Sequence, residues 1–160
     1  MTLKVGDKLP QGSFTKMGES GPEAVSTDEL FSGKRVVLFA VPGAFTPACN
    51  DTHLPGFVVQ CEAIKAQGID AVACMAVNDV LVMDAWGRAG NAENIEMLSD
   101  GNGDYTAALG LELDARVWGL GVRSKRFAMV VNDGVIDLLN IDEAAVENTS
   151  AEVVLSALKA

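Results

Sequence analysis

Seven consecutive residues, Arg35-Val36-Val37-Leu38-Phe39-Ala40-Val41, carry no polar side chain after the first, and three of them are valines. A strand with one wet face alternates apolar and polar residues. A continuous β-branched run therefore marks a strand covered on both faces, as in a parallel or mixed sheet flanked by helices. Ala71-Val72-Ala73-Cys74-Met75-Ala76-Val77 repeats the pattern, and residues 48–66 between the two runs read as a helix. Asn78-Asp79 then supplies cap chemistry for a helix running through Trp86. The result is a β-α-β-α stretch.

Past Asp104 a short helix is expected, followed by the runs Arg126–Val131 and Val135–Ile141 on either side of Asn132-Asp133-Gly134, a strong hairpin signal. Thr149-Ser150-Ala151-Glu152 has capping-box spacing from Thr149 to Glu152, and it opens a last amphipathic helix with Val153, Val154, Leu155, Ala157 and Leu158 on it. A βαβ half, a hairpin and a closing helix predict an α/β thioredoxin-like fold with a central mixed sheet. No repeat or linker interrupts it, so residues 1–160 are expected to form a single domain.

Composition narrows the partners. Asp and Glu number 22 against 12 Lys plus Arg, a formal charge of −10, which disfavours nucleic acid and anionic membranes. The first residues lack the apolar core of a signal peptide, and no apolar run approaches the ~20 residues needed to cross a bilayer, so a cytoplasmic protein is expected. Three cysteines make a poor disulfide framework and suit a reducing compartment. With no Cys-x-x-Cys there is neither a dithiol redox motif nor an evident zinc site, and no cofactor is called for. Asp100-Gly101-Asn102-Gly103-Asp104 begins like a calcium loop, but Tyr105 replaces the required glycine and Leu111 the final glutamate, which leaves a turn.

The first strand breaks at Pro42-Gly43-Ala44-Phe45-Thr46-Pro47-Ala48-Cys49 and delivers Cys49 to the mouth of the helix. Unpaired N–H groups and the positive end of the dipole favour the thiolate there, and the thiolate is the nucleophile. A thiolate attacking a peroxide needs donors for the departing oxygen. Thr46 is placed to offer its hydroxyl, and backbone N–H groups near Ala48 and Cys49 face outward. Pro42 can cover the sulfur with its ring. A guanidinium would stabilise both the thiolate and the leaving hydroxide. Arg126, at the start of a strand, is one candidate in a basic patch with Arg123 and Lys125, and spacing alone leaves the three open.

These residues resemble the active-site segment of the peroxiredoxins, of the type II group of plants and bacteria whose mammalian counterpart is the fifth peroxiredoxin. Pro42 to Cys49 continues as Asn50-Asp51-Thr52-His53-Leu54-Pro55-Gly56-Phe57. Ala76–Asp79, Gly110–Asp114 and Gly119–Ala128 match as well, in the same order along nearly the whole chain. The resemblance implies active-site roles for Pro42, Thr46, Cys49 and Arg126. It further implies reduction of hydrogen peroxide and alkyl hydroperoxides through a sulfenic acid. A homodimer packed near the active-site loop is implied too, with Phe45 and Trp86 as interface candidates.

Attack would leave Cys49 as a sulfenic acid awaiting a second thiol. Cys61 lies twelve residues along the helix, a rise of about 18 Å, far beyond the ~7 Å a disulfide tolerates, and reads as core. Cys74 sits three residues short of Val77, roughly 10 Å below the sheet edge, so a bond to Cys49 would require the first helical turn to unravel. By the resemblance Cys74 is a possible resolving thiol, with core packing as the other reading. Otherwise the reductant is external, glutathione with glutaredoxin or else thioredoxin, with a lean to glutathione. Two other functions stay open at this point: a peroxide sensor that relays oxidation to a partner protein, and a Cys-His hydrolase using His53, four residues after Cys49. A structural role for His53 is the plainer reading.

Overall fold

The computed structural model describes residues 3–160. A hairpin of β1 (Ser13–Gly18) and β2 (Gly21–Ser26) leads through α1 (Thr27–Phe31) into β3 (Arg35–Ala40). A π-helical turn (Cys49–His53) runs directly into α2 (Leu54–Lys65). Then come β4 (Ala71–Ala76), α3 (Val80–Ala89), β5 (Ile95–Ser99), α4 (Asp104–Leu109) and a small ribbon of β6 (Glu112–Asp114) and β7 (Val122–Ser124). The chain closes with β8 (Arg126–Asn132), β9 (Val135–Asp142) and α5 (Ala151–Lys159). Seven strands form one sheet in the order β2-β1-β5-β4-β3-β8-β9, parallel across β5-β4-β3 and antiparallel elsewhere. The mixed sheet agrees with the sequence reading, and each expected strand is matched to within one residue at either end.

The apolar runs are continuous because each face of the sheet carries its own core. Val37, Phe39 and Val41 join Cys74, Ala128 and Val130 with Leu54, Phe57, Cys61 and Ile64 of α2, Met83 and Trp86 of α3 and Val154 of α5. Val36, Leu38 and Ala40 turn the other way with Met75, Phe127 and Met129, against Phe14, Phe31, Tyr105 and Leu109. Alternation along β8 therefore puts Arg126 on the face of Ala128 and Val130, the α2 side. The Asp133-Gly134 turn closes the β8–β9 hairpin with both residues at positive φ, 49° and 80°, as a two-residue loop requires.

Three local expectations are corrected. The helix beginning at Cys49 is not regular: the N–H of Leu54 reaches back to the Cys49 carbonyl, five residues away. Pro55 follows, and having no N–H it cannot close an α-helical bond onto Asp51, which suits a widened turn. The last helix is capped by Ser150, not Thr149: Ser150 Oγ accepts from Val153 N, while the Thr149 hydroxyl donates to Asp142. The helix after Asp79, whose Oδ1 caps it by accepting from Val82 N, extends past Trp86 to Ala89.

Candidate active site

The site forms where β3 ends and its chain crosses to α2. Ala44 N donates to Asn78 Oδ1 at 2.9 Å, tying the crossing loop to the residue just past β4. Thr46 N and the Thr46 hydroxyl both donate to the Gly43 carbonyl, at 3.3 and 2.7 Å. Between them Phe45 is held at φ 65°, a left-handed conformation that costs a non-glycine residue on the order of 1 kcal/mol. Gly43 is a tight fit: a Cβ there would lie 3.1 Å from Thr46 Cγ2 and 3.2 Å from Arg123 Nη1, so both side chains would have to give by a few tenths of an ångström. The loop is thus pinned at both ends and strained in the middle, which fixes where Cys49 emerges.

Cys49 is fully buried, and Arg126 Nη2 donates to its Sγ at 3.2 Å. Of the three basic candidates, the structure brings only Arg126 within hydrogen-bond distance of the sulfur. Arg123 instead donates Nε to the Leu120 carbonyl at 2.7 Å and lies over Gly43. Arg126 is itself 4 % exposed, and its Nη1 stands 2.9 Å from His53 Nδ1. A guanidinium has only donors, so Nδ1 must accept, and the remaining ring proton on Nε2 donates to the Thr149 carbonyl at 2.9 Å. His53 is therefore neutral with one defined tautomer. Both of its nitrogens are engaged away from the sulfur, which removes the base that a Cys-His hydrolase would need. The expectation of a purely structural histidine is also incomplete, since His53 holds the guanidinium that holds the sulfur.

Burial, and next the charge of Arg126, lower the pKa of His53 from 6.5 to about 4, against an opposing pull from the Thr149 carbonyl and Asp142. Above pH 6.5 neither the folded nor the unfolded chain protonates this ring. Between 6.5 and 4 the unfolded chain takes up a proton that the folded one refuses, so stability falls with falling pH and is lower by about 3 kcal/mol below pH 4. The urea midpoint of the wild type should therefore drop more between pH 7 and pH 4 than that of His53→Gln, whose carboxamide accepts and donates without titrating. Equal drops would show that the ring contributes nothing to acid sensitivity.

The other expected residues divide. Thr46 lies on the loop before Cys49, and its hydroxyl donates its proton to the Gly43 carbonyl, which leaves the oxygen free only to accept. Pro42 is half-buried on the same loop. Cys74 is fully buried on the core face shared with Cys49, and burial foremost pushes its thiol pKa well up. Cys61 is core, as read, with Sγ 3.6 Å from the Asn94 carbonyl. Trp86 is corrected as an interface candidate: it is wholly buried and donates its indole N–H to Asn50 Oδ1 at 3.0 Å, beneath the exposed Phe45 ring at 6.4 Å. Asp100 accepts from Tyr105 N, Thr106 N and the Thr106 hydroxyl, so the calcium-like segment is a turn that starts α4.

A guanidinium donating to a buried helix-mouth thiol is the constellation expected of a thiol peroxidase, and comparison with known proteins points the same way. Residues 4–155 match the redoxin family. The chain is 46 % identical over 163 residues to chloroplastic Peroxiredoxin-2E of Arabidopsis thaliana, covering 98 % of this chain and 70 % of the relative. The chain belongs to the redoxin family, among the peroxiredoxins. Peroxiredoxin-2C of Oryza sativa subsp. japonica is likewise 46 % identical, over 98 % of both chains. Among solved structures, this peroxiredoxin is similar to reduced Prx3 of Vibrio vulnificus in complex with hydrogen peroxide, with TM-score 0.95, 46 % identity and coverage of 98 % and 99 %. Peroxiredoxin 5 of Alvinella pompejana follows at TM-score 0.87 and 32 % identity over 98 % of each chain. The fold is thus thioredoxin-like and the activity that of a thiol-dependent peroxidase. Among the described residues of this peroxiredoxin, no helix is long and apolar enough to cross a membrane.

Sequence reasoning missed Asn78, Asn50 and Thr149 as supports of this peroxiredoxin's site. Asn78 alone left a signal: it directly follows a central parallel strand, at the sheet edge where such folds build their sites.

Proposed function

We propose that Cys49 reduces hydrogen peroxide and alkyl hydroperoxides through a cysteine sulfenic acid that an external thiol then recycles. The observation that carries this reading is the 3.2 Å hydrogen bond from Arg126 to the Cys49 sulfur, between two buried residues. The thiolate attacks one peroxide oxygen, the O–O bond breaks, and the second oxygen leaves with the electron pair as hydroxide or alkoxide. Arg126 stabilises both the attacking and the departing anion. Its Nε–H is buried without a partner among the described residues, a donor that a bound peroxide oxygen would satisfy. Thr46, its own proton committed, accepts from the peroxide O–H and orients it, and Pro42 keeps water from the sulfur.

We read Cys74 as core rather than resolving. It is fully buried mid-strand beside Phe39, and a raised thiol pKa leaves little thiolate to attack the sulfenic acid. The reductant is then glutathione with glutaredoxin, or thioredoxin, and with Cys49 itself buried the first helical turn must open to admit it. Three free cysteines fit a reducing compartment such as the cytoplasm. Exposed Phe45, together with Val122 on the ribbon that touches the same loop through Arg123 and Val117 and Trp118 in the turn joining its two strands, supports a homodimer at this face.

Mass spectrometry after one equivalent of peroxide tests the first half: the expected product carries one added oxygen on Cys49, an unmodified Cys49 would contradict it, and an internal bridge would instead contradict recycling by an external thiol. Steady-state consumption tests the second. Cys74→Ala is expected to keep most of its turnover with glutathione and glutaredoxin. A loss confined to the thioredoxin-coupled assay would make Cys74 the resolving thiol, and a single stoichiometric burst with both reductants would favour the sensor.

A further inference from the structure

His53 serves Arg126 only with a lone pair on Nδ1, yet a neutral imidazole places its proton on either nitrogen. Arg126 favours that tautomer from one side, and the Thr149 carbonyl at 2.9 Å from Nε2 secures it from the other, because a carbonyl cannot donate and would meet an unprotonated Nε2 lone pair to lone pair. That carbonyl belongs to the segment between β9 and α5, which has no strand or helix of its own to hold it. The Asp142 carboxylate holds it instead. It accepts from Glu147 N at 2.8 Å, Asn148 N at 3.1 Å, Asn148 Nδ2 at 3.3 Å, Thr149 N at 3.0 Å and Thr149 Oγ1 at 2.7 Å. Both ends of the cluster are buried, Asp142 at 5 % and Thr149 at 0 % exposure.

Asp142 is also the residue paired with Arg126 across the β8–β9 ladder. A carboxylate there would be the natural ion-pair partner of the guanidinium, yet its oxygens go to the loop, and among the described residues Arg126 forms no salt bridge. The connection between the two is indirect and closes a ring: Asp142 folds the loop, the loop presents the Thr149 carbonyl, the carbonyl orients His53, and His53 leaves Nη2 of Arg126 directed at the sulfur.

We propose that Asp142 and Thr149 are positioning residues for peroxide reduction, acting by locking His53 into the tautomer that accepts from Arg126. This rests on the reading that Cys49 and Arg126 carry the chemistry.

His53 is the chain's single histidine, so a long-range proton–nitrogen NMR spectrum reads its tautomer without assignment. Near neutral pH the wild type should show a neutral ring protonated at Nε2. Thr149→Val removes the hydroxyl that binds Asp142 while keeping the side-chain shape, and Asp142→Asn turns donors toward the loop's own N–H groups. Both should give a mixture of tautomers and lower the peroxide rate constant of the reduced enzyme about tenfold, the loss of one net hydrogen bond from the transition state. Thr149→Ser, which keeps the hydroxyl, should restore both readouts. An imidazolium or an Nδ1-protonated ring in the wild type overturns the proposal whether or not the variants fold. So does a slowed variant with an unchanged tautomer, or a mixed tautomer with an unchanged rate. Peroxide reduction that survives Cys49→Ser would instead overturn the assignment of the nucleophile, while the ring spectrum would still report whether the loop sets the tautomer.

Discussion

Arg126→Ala is expected to slow the reaction of the reduced enzyme with peroxide by roughly two to three orders of magnitude, the cost of removing one preorganised donor from a developing oxyanion. Three consequences of the truncation act together. The sulfur loses the side-chain donor bonded to it, the leaving oxygen loses its cation, and His53 Nδ1 loses its partner. Arg126 is buried, so no mobile surface charge replaces its guanidinium. Arg126→Lys should recover only part of the rate, because one ammonium on a flexible stem cannot reproduce a planar fork that reaches Sγ and Nδ1 together. Stopped-flow measurement of single-turnover oxidation gives the number directly. An undiminished rate in Arg126→Ala would shift the role to Arg123, which overlies Gly43 a short distance along the same loop.

Cys49→Ser should abolish turnover with every reductant. A hydroxyl in place of the thiol is almost never ionised near neutral pH, and the site offers no base to assist it, since both nitrogens of His53 are committed. The substitution changes volume little, so the circular dichroism spectrum should stay native. Cys61→Ala, remote along α2 and bonded through its sulfur only to the Asn94 carbonyl, should retain the rate and serves as the matched control. Peroxide consumption persisting in Cys49→Ser and vanishing in a Cys49→Ser/Cys74→Ala double variant would move the nucleophile to the neighbouring strand.

The sheet could be read from the sequence where burial is two-sided. Strands β3, β4 and β8 announce themselves because both faces are covered and every position between their ends is apolar. The β1–β2 hairpin went unread for the opposite reason. Glu23 is exposed and Pro22 sits in β2 at the sheet edge, a composition that pattern alone assigns to a loop, and pairing with β5 is what makes it a sheet edge. Thr149 has the capping-box spacing to Glu152 that Ser150, three residues before Val153, lacks, and it is the tertiary demand of Asp142 on the Thr149 hydroxyl that leaves the cap to Ser150. The resemblance offers both Phe45 and Trp86 as interface candidates, and it is the tertiary packing that leaves the Phe45 ring exposed and buries Trp86. In the site, Cys49 follows from the strand break alone, whereas Arg126 needed the family resemblance to separate it from Arg123 and Lys125. The period of β8 would also have done so, since Arg126 shares a face with Ala128 and Val130 once the α2 side is known. The roles of His53 and Thr149 depend on a contact spanning 96 residues, which no local pattern encodes.

The chain carries two tryptophans in opposite environments, Trp118 at 69 % exposure and Trp86 sealed against Asn50, next in sequence to the reactive sulfur. With Trp118 replaced by phenylalanine, the emission of the remaining indole becomes a private optical signal for the helix mouth. Any excursion that uncovers the oxidised cysteine for its reductant must disturb that indole's neighbour, so catalysis and its own fluorescent readout come built into the same few residues.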